Sequence, residues 1–519
     1  MKLKMLTAAI LASVLPTTGV FAAALDRSGQ SISAFLQPNN YFEAGISVLD
    51  PTVEGREAGT SETRRHIEDM GDDYYFPSAA IKLQLTDHLS FGLLYDQPFG
   101  ADAAYTGKNV FVSDSTNTIL PAATLEGIRQ STIANNVGAV LPSQLATNLQ
   151  PGVSQTVSAQ AQALIQAGQA PAGATQAMVE AGIRSNASAM AQITAGVTKA
   201  ITDKVTTGVT QQVDAGLAQV NSTLGKGNTK VEVDTQNISM IFGFQPNKNF
   251  NIYGGGVYQT VKGNVSLRGQ AYSLYNGYDA SIKETGGVGW LAGAAYQIPE
   301  IALKAAVTYR SKIDHDVEIR ESLPTLPALS LLGPDGATAA ANIASSSGET
   351  RITTPQSVNL DLQSGIMADT VAFASVRWVN WKDFSIQPYK FGKVSEAIGG
   401  LVGRPNGFDL VKYSDDQWSA TAGIGRKLTD QWAGNVSVGW DSGAGNPVTT
   451  LGPTEGYWNV GVGVQFSPTP STFIAGGVKY FWLGDAKAQT GAQADGNDYV
   501  AEFQDNTALA YGLKIGYKF

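Results

Sequence analysis

Fourteen segments of this chain alternate apolar with small or polar residues, and the connections between them alternate between short and long without exception. The segments lie at 40–50, 73–85, 89–99, 230–245, 249–267, 287–298, 301–319, 351–367, 371–386, 416–428, 431–441, 457–466, 472–483 and 508–519. Outer-membrane barrels have short turns on one side, long loops on the other and an even strand count, whereas a soluble sandwich has no reason to sort its loops by parity. Closure also removes the exposed strand edges that lipid does not tolerate. The pattern predicts an all-β fold, a 14-stranded antiparallel transmembrane β-barrel.

The last segment shows the alternation most clearly. Successive side chains of a strand point to opposite faces. One face carries large apolar residues and the other carries alanine, glycine and lysine. The apolar set is Leu509, Tyr511, Leu513, Ile515, Tyr517 and Phe519. We predict that this face contacts outer-membrane lipid and that Phe519 is the residue recognised by the barrel-assembly machinery.

The N-terminus has the composition of a secretion signal. Lys2 and Lys4 precede an apolar run at 5–15, and small residues follow, which predicts a signal peptide at 1–24 with cleavage after Ala22 or Ala24. Beyond it, no stretch approaches the roughly 20 apolar residues that a spanning helix needs. The chain is therefore expected to be exported and to enter the membrane as strands.

Residues 25–40 have no clean period and precede the first strand, so they form either a frayed end or a plug inside the barrel, which would then occupy 41–519. The connection at 101–229 is far too long for an ordinary loop. Within it, apolar residues recur at spacings of three and four from Met190 to Val220, and 159–169 suits an earlier helix. We predict a helical extracellular insertion, with partial disorder as the competing interpretation.

Composition argues against several functions. A net charge of -9 disfavours a nucleic-acid partner, and the absence of cysteine excludes disulfide and thiolate-metal frameworks. The three histidines, His66, His88 and His315, form no metal-binding or catalytic pair motif. We therefore expect no catalytic residue, no metal, no cofactor and no enzyme activity.

Several segments resemble the FadL family of outer-membrane transporters for long-chain fatty acids and other hydrophobic compounds. The resemblance rests on the order and spacing of five stretches. They are GWLAGAAYQI at 289–298, AVTYRSKID at 306–314, WVNWKDF at 378–384, DQWSATAGIG at 416–425 and YWNVGVGVQF at 457–466. In this family an N-terminal hatch plugs the barrel, and ligand leaves sideways through a gap at an inward kink of the third strand.

The resemblance implies a set of site residues for a hydrophobic ligand such as a fatty acid or hydrocarbon. The hatch would be 25–40, the lateral gate would lie at Pro98 in the third strand, and basic side chains would hold the carboxylate of an acid ligand. The implied ligand-binding residues are Leu25, Ile32, Phe35 and Leu36 in the hatch, with Arg268 and Lys412 as the basic pair. The leading hypothesis is passive transport of hydrophobic molecules, long-chain fatty acids first. The alternatives are a surface adhesion or receptor protein that displays the insertion, and a general polar porin.

Overall fold

The structure is a computed structural model that describes residues 25–120 and 122–519. The predicted signal peptide, 1–24, lies outside the described residues. The chain divides into two compact units. One comprises 25–117 with 225–519, and the other is 118–224.

The first unit is a closed barrel of fourteen antiparallel strands, in which each strand pairs with its neighbours in chain order and the last pairs with the first. The barrel strands are β1 (Tyr41–Thr52), β2 (Tyr74–Gln84), β3 (Leu89–Asp96), β4 (Lys230–Asn247), β5 (Phe250–Leu267), β6 (Tyr278–Ile298), β7 (Leu303–Arg310), β8 (Ser357–Met367), β9 (Thr370–Val379), β10 (Gln417–Lys427), β11 (Trp432–Asp441), β12 (Tyr457–Phe466), β13 (Thr472–Leu483) and β14 (Thr507–Lys518). The closing ladder runs from Tyr41 opposite Lys518 to Thr52 opposite Thr507. The predicted fold class is confirmed.

The alternating pattern sorts side chains between the two faces of the barrel wall. In β14, Leu513 is 53% exposed on the outer face, whereas Ala510 and Lys514 are buried on the inner face. The whole predicted apolar face of this strand, through Phe519, is exposed. A period of two therefore places the large apolar residues outside and leaves small and polar residues to line the interior.

Four strand boundaries differ from the sequence prediction by more than three residues. β6 begins at Tyr278 rather than at 287, and β9 ends at Val379 rather than at 386. β7 ends at Arg310, and β8 begins only at Ser357. The residues between them, Ile313–Val317 and Thr350–Thr354, pair with each other as a separate two-stranded sheet. These segments still alternate in sequence, because alternation indicates that a strand has two different faces. It does not indicate which strand is the partner.

The long connections carry further short elements. Short strands from the connections after β1, β11 and β13 form one five-stranded sheet. They are Gly55–Glu57, His66–Ile67, Val448–Thr449, Ala486–Gln489 and Ala501–Phe503. Gly100–Ala104 adds to β4, Ile319–Ser322 adds to β6, and Ser385–Ile386 pairs with Val411–Lys412. The helices of this unit are Pro334–Ser345 and Tyr389–Ile398, with 3-10 turns at Gln270–Tyr275, Pro299–Ile301, Leu326–Leu332, Gly399–Val402 and Gly491–Gln493.

The second unit is helical, as the spacing within the insertion predicted. Its helices are α1 (Ala122–Gln166), α2 (Gln176–Ser185) and α3 (Ala187–Asn221). α1 begins well before the predicted 159, and it packs on α3 through Val153, Val157 and Ile193. The side-chain oxygen of Asn186 accepts a hydrogen bond from the Ala189 N–H at 3.1 Å, which caps the start of α3. Among the described helices, none is both long enough and apolar enough to cross a membrane.

Candidate functional site

Residues 25–40, called the hatch below, lie inside the barrel. Ile32, Phe35 and Leu36 are at most 8% exposed and join one apolar cluster with inward-facing residues of the wall, such as Tyr253 and Leu291. A short turn brings them together, since the Leu36 N–H donates to the Ile32 carbonyl at 3.3 Å. The segment that the sequence left open between a frayed end and a plug is therefore folded into the lumen.

Phe35 is seated on two glycines of the barrel wall. A Cβ at Gly92 of β3 would lie 2.5 Å from the Phe35 ring, and one at Gly243 of β4 would lie 2.9 Å from it. Tyr253 of β5 meets the same ring edge-on at 5.6 Å between centroids. Because any side chain at Gly92 or Gly243 would displace the phenyl ring, these glycines make room for the hatch.

A buried ion pair fixes the N-terminal end of the hatch to the wall. The Arg377 guanidinium of β9 donates to both carboxylate oxygens of Asp26, at 2.8 and 3.0 Å, and both side chains are 5% exposed. Arg377 also donates to Asn359 of β8 at 2.7 Å, and Asn359 donates to the Gly29 carbonyl at 2.8 Å. Paired, hydrogen-bonded charges of this kind hold a segment in one position.

Two lysines, of which Lys82 is buried and Lys304 is half-buried, hold the other end of the hatch. Lys304 of β7 donates to the Leu36 carbonyl at 2.9 Å, and Lys82 of β2 donates to the Asn39 carbonyl at 2.8 Å. The hatch is therefore bound by charged side chains at both ends and by Phe35 between them.

The ladder between β2 and β3 stops before the strands end. Its last pair is Ala79 with Tyr95, so residues 74–78 of β2 face no strand partner on that side. Pro98 lies in the break after β3, where its carbonyl accepts the Arg27 N–H at 2.7 Å. The Gly100 N–H donates to the Leu25 carbonyl at 2.9 Å. After β3, the backbone therefore forms hydrogen bonds with the hatch instead of with β2.

Three cavities meet around Arg27. The first, called the apolar cavity, has a volume of about 40 Å³ and is lined by Leu25, Val233, Ile282, Leu410 and Tyr413 among others. The second, called the strand-break cavity, has about 210 Å³ and is lined by Phe76, Gln97, Phe99 and Thr235 among others. The third, called the interior cavity, has about 210 Å³ and is bounded by the hatch and the barrel wall.

Arg27 and Tyr74 form the partition between the apolar and strand-break cavities, since both residues line each one. The Arg27 guanidinium lies 3.6 Å from the centroid of the Tyr74 ring, a cation–π contact. Pockets for small organic ligands commonly measure about 300–1,000 Å³. A hydrophobic ligand can therefore enter the apolar cavity only if its walls move.

The structure separates the predicted site residues into two groups. Leu25 lines the apolar cavity, Ile32, Phe35 and Leu36 are buried between hatch and wall, and Pro98 lies at the strand break. Arg268 and Lys412 line none of the three cavities. Arg268 instead pairs with Asp279 at 2.8 Å, and Lys412 pairs with Asp495 at 2.7 Å. The ligand role of all these residues stays a prediction.

Sequence reasoning missed the polar residues that hold the hatch. Arg377 and Lys304 occupy inward positions of alternating strands, and a charge on that face calls for a partner. The inward charges were visible in the sequence. Their partners were not, because Asp26 and Leu36 are hundreds of residues away along the chain. Within the described part of the chain, no group of three or more His, Asp or Glu side chains is arranged to hold a metal ion.

Comparisons with known proteins identify the family of the chain. The model of the outer membrane protein transport family (OMPP1/FadL/TodX) matches residues 99–519. A FadL homologue from Pseudomonas aeruginosa is 12% identical, with a TM-score of 0.55 and coverage of 98% of this chain and 99% of that one. The P. putida toluene transporter TodX is 9% identical, with a TM-score of 0.48 and coverage of 94% and 91%. No curated protein matches this sequence. The chain belongs to the outer membrane transport family that includes FadL and TodX, and its barrel is an outer-membrane barrel.

Proposed function

We propose that this protein carries hydrophobic molecules across the outer membrane by passive diffusion, with long-chain fatty acids as the first candidate ligands. The observation that carries the proposal is the apolar cavity at the N-terminal end of the hatch. Only Arg27 and Tyr74 separate it from the strand-break cavity. The sequence contains no nucleotide-binding motif, so the driving force is the partition of the ligand into the membrane.

The proposed route runs from the apolar cavity, past Arg27 and Tyr74, into the strand-break cavity. There the edge of β2 at 74–78 has no strand partner on the β3 side, which supports an exit beside Pro98. Tyr75 on this edge is 59% exposed on the outer surface. Lateral exit at this point delivers the ligand to the bilayer, which suits a poorly soluble molecule.

The proposal includes the two basic residues implied by the family resemblance. Arg268 and Lys412 would have to exchange Asp279 and Asp495 for the carboxylate of an acid ligand. An Arg268→Ala/Lys412→Ala variant tests this step, and oleate uptake at the wild-type rate would remove both residues from the site. We also propose that outer-membrane lipid contacts the exposed apolar face and that the barrel-assembly machinery recognises Phe519.

Oleate uptake into proteoliposomes tests the route. Gln97→Trp places a large side chain in the strand-break cavity and is expected to reduce uptake, whereas Gln431→Trp adds the same side chain at an exposed turn and serves as control. Deletion of 25–40 is expected to abolish saturable oleate uptake and to admit small sugars. Uptake that withstands Gln97→Trp would sink the lateral route, and sugar flux through the wild-type protein would favour a polar porin.

A second candidate is surface binding by the helical unit. The observation that favours it is that 118–224 forms a compact unit of its own, with its own apolar contacts between α1 and α3. Loss of binding to surfaces after deletion of this unit, with oleate uptake unchanged, would support that role beside transport.

A further inference from the structure

The barrel wall has a second break, which lies between β6 and β7. The ladder between these strands ends with Arg310 opposite Leu291, and it resumes only where Ile319 faces Ile282. Among the described residues, 283–289 of β6 therefore have no strand partner on the β7 side. This edge of β6, 283–289, is called the window below. The rest of the β6 edge is paired, so the window is closed off above and below by regular ladder.

The residues that would fill the window pair elsewhere. Residues 312–318, called the strap below, follow β7, and their central part pairs with Thr350–Thr354. The register with β6 is nevertheless kept, because 310 to 319 on one strand and 291 to 282 on the other both span nine residues. The strap is thus a displaced piece of one continuous strand, and it can return to the β6 edge without a slip in register.

The strap packs on the inward face of β6. The side chains on its covered face are at most 5% exposed, and they are Ile313, His315 and Val317. Gly287 and Gly289 make the close approach possible. A Cβ at Gly287 would lie 2.7 Å from the Asp314 carbonyl oxygen, and one at Gly289 would lie 2.6 Å from Cγ1 of Ile313. Because the wall presents only backbone at these two positions, no side chain of β6 interlocks with the strap there.

The window begins at the aromatic belt of the barrel. Trp290, the residue next to it, is 52% exposed, and its ring centroid lies 5.1 Å from that of Tyr309 in β7. Exposed tryptophans occupy the same end of the later strands, at Trp418, Trp440, Trp458 and Trp482. Such girdles mark the membrane interface. Water and lipid head groups can bond to unpaired backbone there, whereas hydrocarbon cannot, so a break at this level is tolerated.

Apolar residues lie on both sides of the window. On the outer surface, Val288 is 76% exposed. At the far end of the window, Ile282 and Ile319 form the first pair of the resumed ladder, and both line the apolar cavity. Ile319 directly follows the strap. Lifting the strap from the wall would therefore connect the lipid-facing surface at Val288 with the wall of the apolar cavity.

We propose that the window is a lateral entrance, through which a hydrocarbon chain dissolved in the outer leaflet reaches the apolar cavity when the strap lifts from Gly287 and Gly289. The inference rests on the proposed transport function and adds a source of ligand, the membrane itself. Ile282, Ile313 and Val317 offer this path apolar side chains. The entrance is separate from the strand break, which lies between β2 and β3.

Photolabelling of the full chain in proteoliposomes tests the entrance. The probe is hexadecane carrying a diazirine, dissolved in the vesicle membrane. We expect it to label Ile282 and Ile319 beside the apolar cavity, in addition to the outward Val288, which serves as the internal standard. Gly287→Ala adds a methyl group against the strap and should raise labelling of the two isoleucines roughly five- to a hundred-fold, as overpacking of a close contact does. Gly256→Ala is the matched control, because a Cβ there meets no atom within 4 Å.

A disulfide that fixes the strap to the wall tests the same step in the opposite direction. The chain has no cysteine, so an introduced pair has no competitor. In Gly289→Cys/Ile313→Cys the 2.6 Å approach is near the roughly 3 Å between the Cβ of one cysteine and the sulfur of the other in a disulfide. Oxidation should lower labelling of Ile282 to that of the unirradiated protein, and a reductant should restore it. Ser437→Cys/Gly461→Cys, with a 2.8 Å approach between β11 and β12, is the control and should change nothing.

The outcomes separate the window from the transport function. Labelling of Ile282 that the oxidised Gly289→Cys/Ile313→Cys pair leaves unchanged, or that Gln97→Trp in the strand-break cavity abolishes, would overturn the window and leave transport standing. Wild-type protein that takes up oleate without labelling at Ile282 would do the same. Labelling without oleate uptake would overturn transport instead. If Gly287→Ala fails to fold, the wild-type labelling and the disulfide still decide.

Discussion

The ion pair between Asp26 and Arg377 makes a specific prediction about the closed state of the barrel. Asp26→Asn removes the negative charge but keeps the size of the side chain. Arg377 then retains Asn359 and Gln30 as neutral acceptors, at 2.7 and 3.1 Å, and has no carboxylate at its Nε. The substitution leaves an uncompensated charge in a site where both partners are 5% exposed.

The size of the effect follows from burial. Removing one partner of a buried pair costs about 3–5 kcal/mol. Since about 1.4 kcal/mol is a factor of ten, release of the N-terminal segment of the hatch should become roughly a hundred-fold to several thousand-fold more frequent. The Phe35 seat and the Lys304 and Lys82 contacts are not touched, so release should be confined to 25–30.

Planar-bilayer conductance measures this release, because a displaced segment opens a water path. Asp26→Asn should show frequent openings. Asp495→Asn should not, because it breaks the exposed pair with Lys412, and exposed pairs contribute at most about 1 kcal/mol. Asp26→Asn/Arg377→Gln removes both charges and should open less often than Asp26→Asn alone. Equal conductance of Asp26→Asn and Asp495→Asn, or a double variant that behaves as the sum of its parts, would refute the reasoning.

Three further predictions follow from other contacts. Phe35→Ala should loosen the hatch by about 3–5 kcal/mol, and Gly92→Ala should restore part of that loss in the double variant by filling the space, as read by conductance. Burial raises the pKa of Glu455 to about 7, so its neutral form stabilises the 442–456 loop at low pH and the stabilisation fades as pH rises from about 4.5 through 7. Proteolysis of that loop should therefore be faster at pH 8 than at pH 5, and Glu455→Gln should remove the difference. Deletion of 118–224 should preserve the barrel fold, as read by circular dichroism, because both flanks bond to Asn276.

The sequence predicted what depends on local pattern. Alternation predicted all fourteen barrel strands, and the turn and loop lengths predicted closure, because both are properties of neighbouring residues. Alternation failed at Ile313–Val317 and Thr350–Thr354, where two regular strands leave the barrel and pair with each other. Strand propensity does not specify a partner, so periodicity could not predict where β7 ends and β8 begins.

The candidate site was predictable only in its apolar part. Ile32 and Phe35 were named through the resemblance to the FadL family, and the structure buries both between the hatch and the wall. The contacts of Arg377 and Lys304 depend on which strands the hatch packs against. That packing is determined only when the barrel closes, so the sequence did not predict it. Arg268 was implied by the same resemblance, and in the structure its partner is Asp279 across the adjoining turn.

The strand break and the hatch are one structural feature. Where the β2 ladder ends, the backbone groups of Pro98 and Gly100 would be left without partners, which is costly in a membrane barrel. The hatch supplies the partners, through the Arg27 N–H and the Leu25 carbonyl. Thr235 of β4 supports Phe99 from the other side, donating to the Phe99 carbonyl at 2.7 Å. The hatch therefore replaces β2 as the backbone partner of the chain after β3. We therefore predict that displacement of the hatch at Leu25 leaves the Gly100 N–H without its partner and loosens the chain after β3.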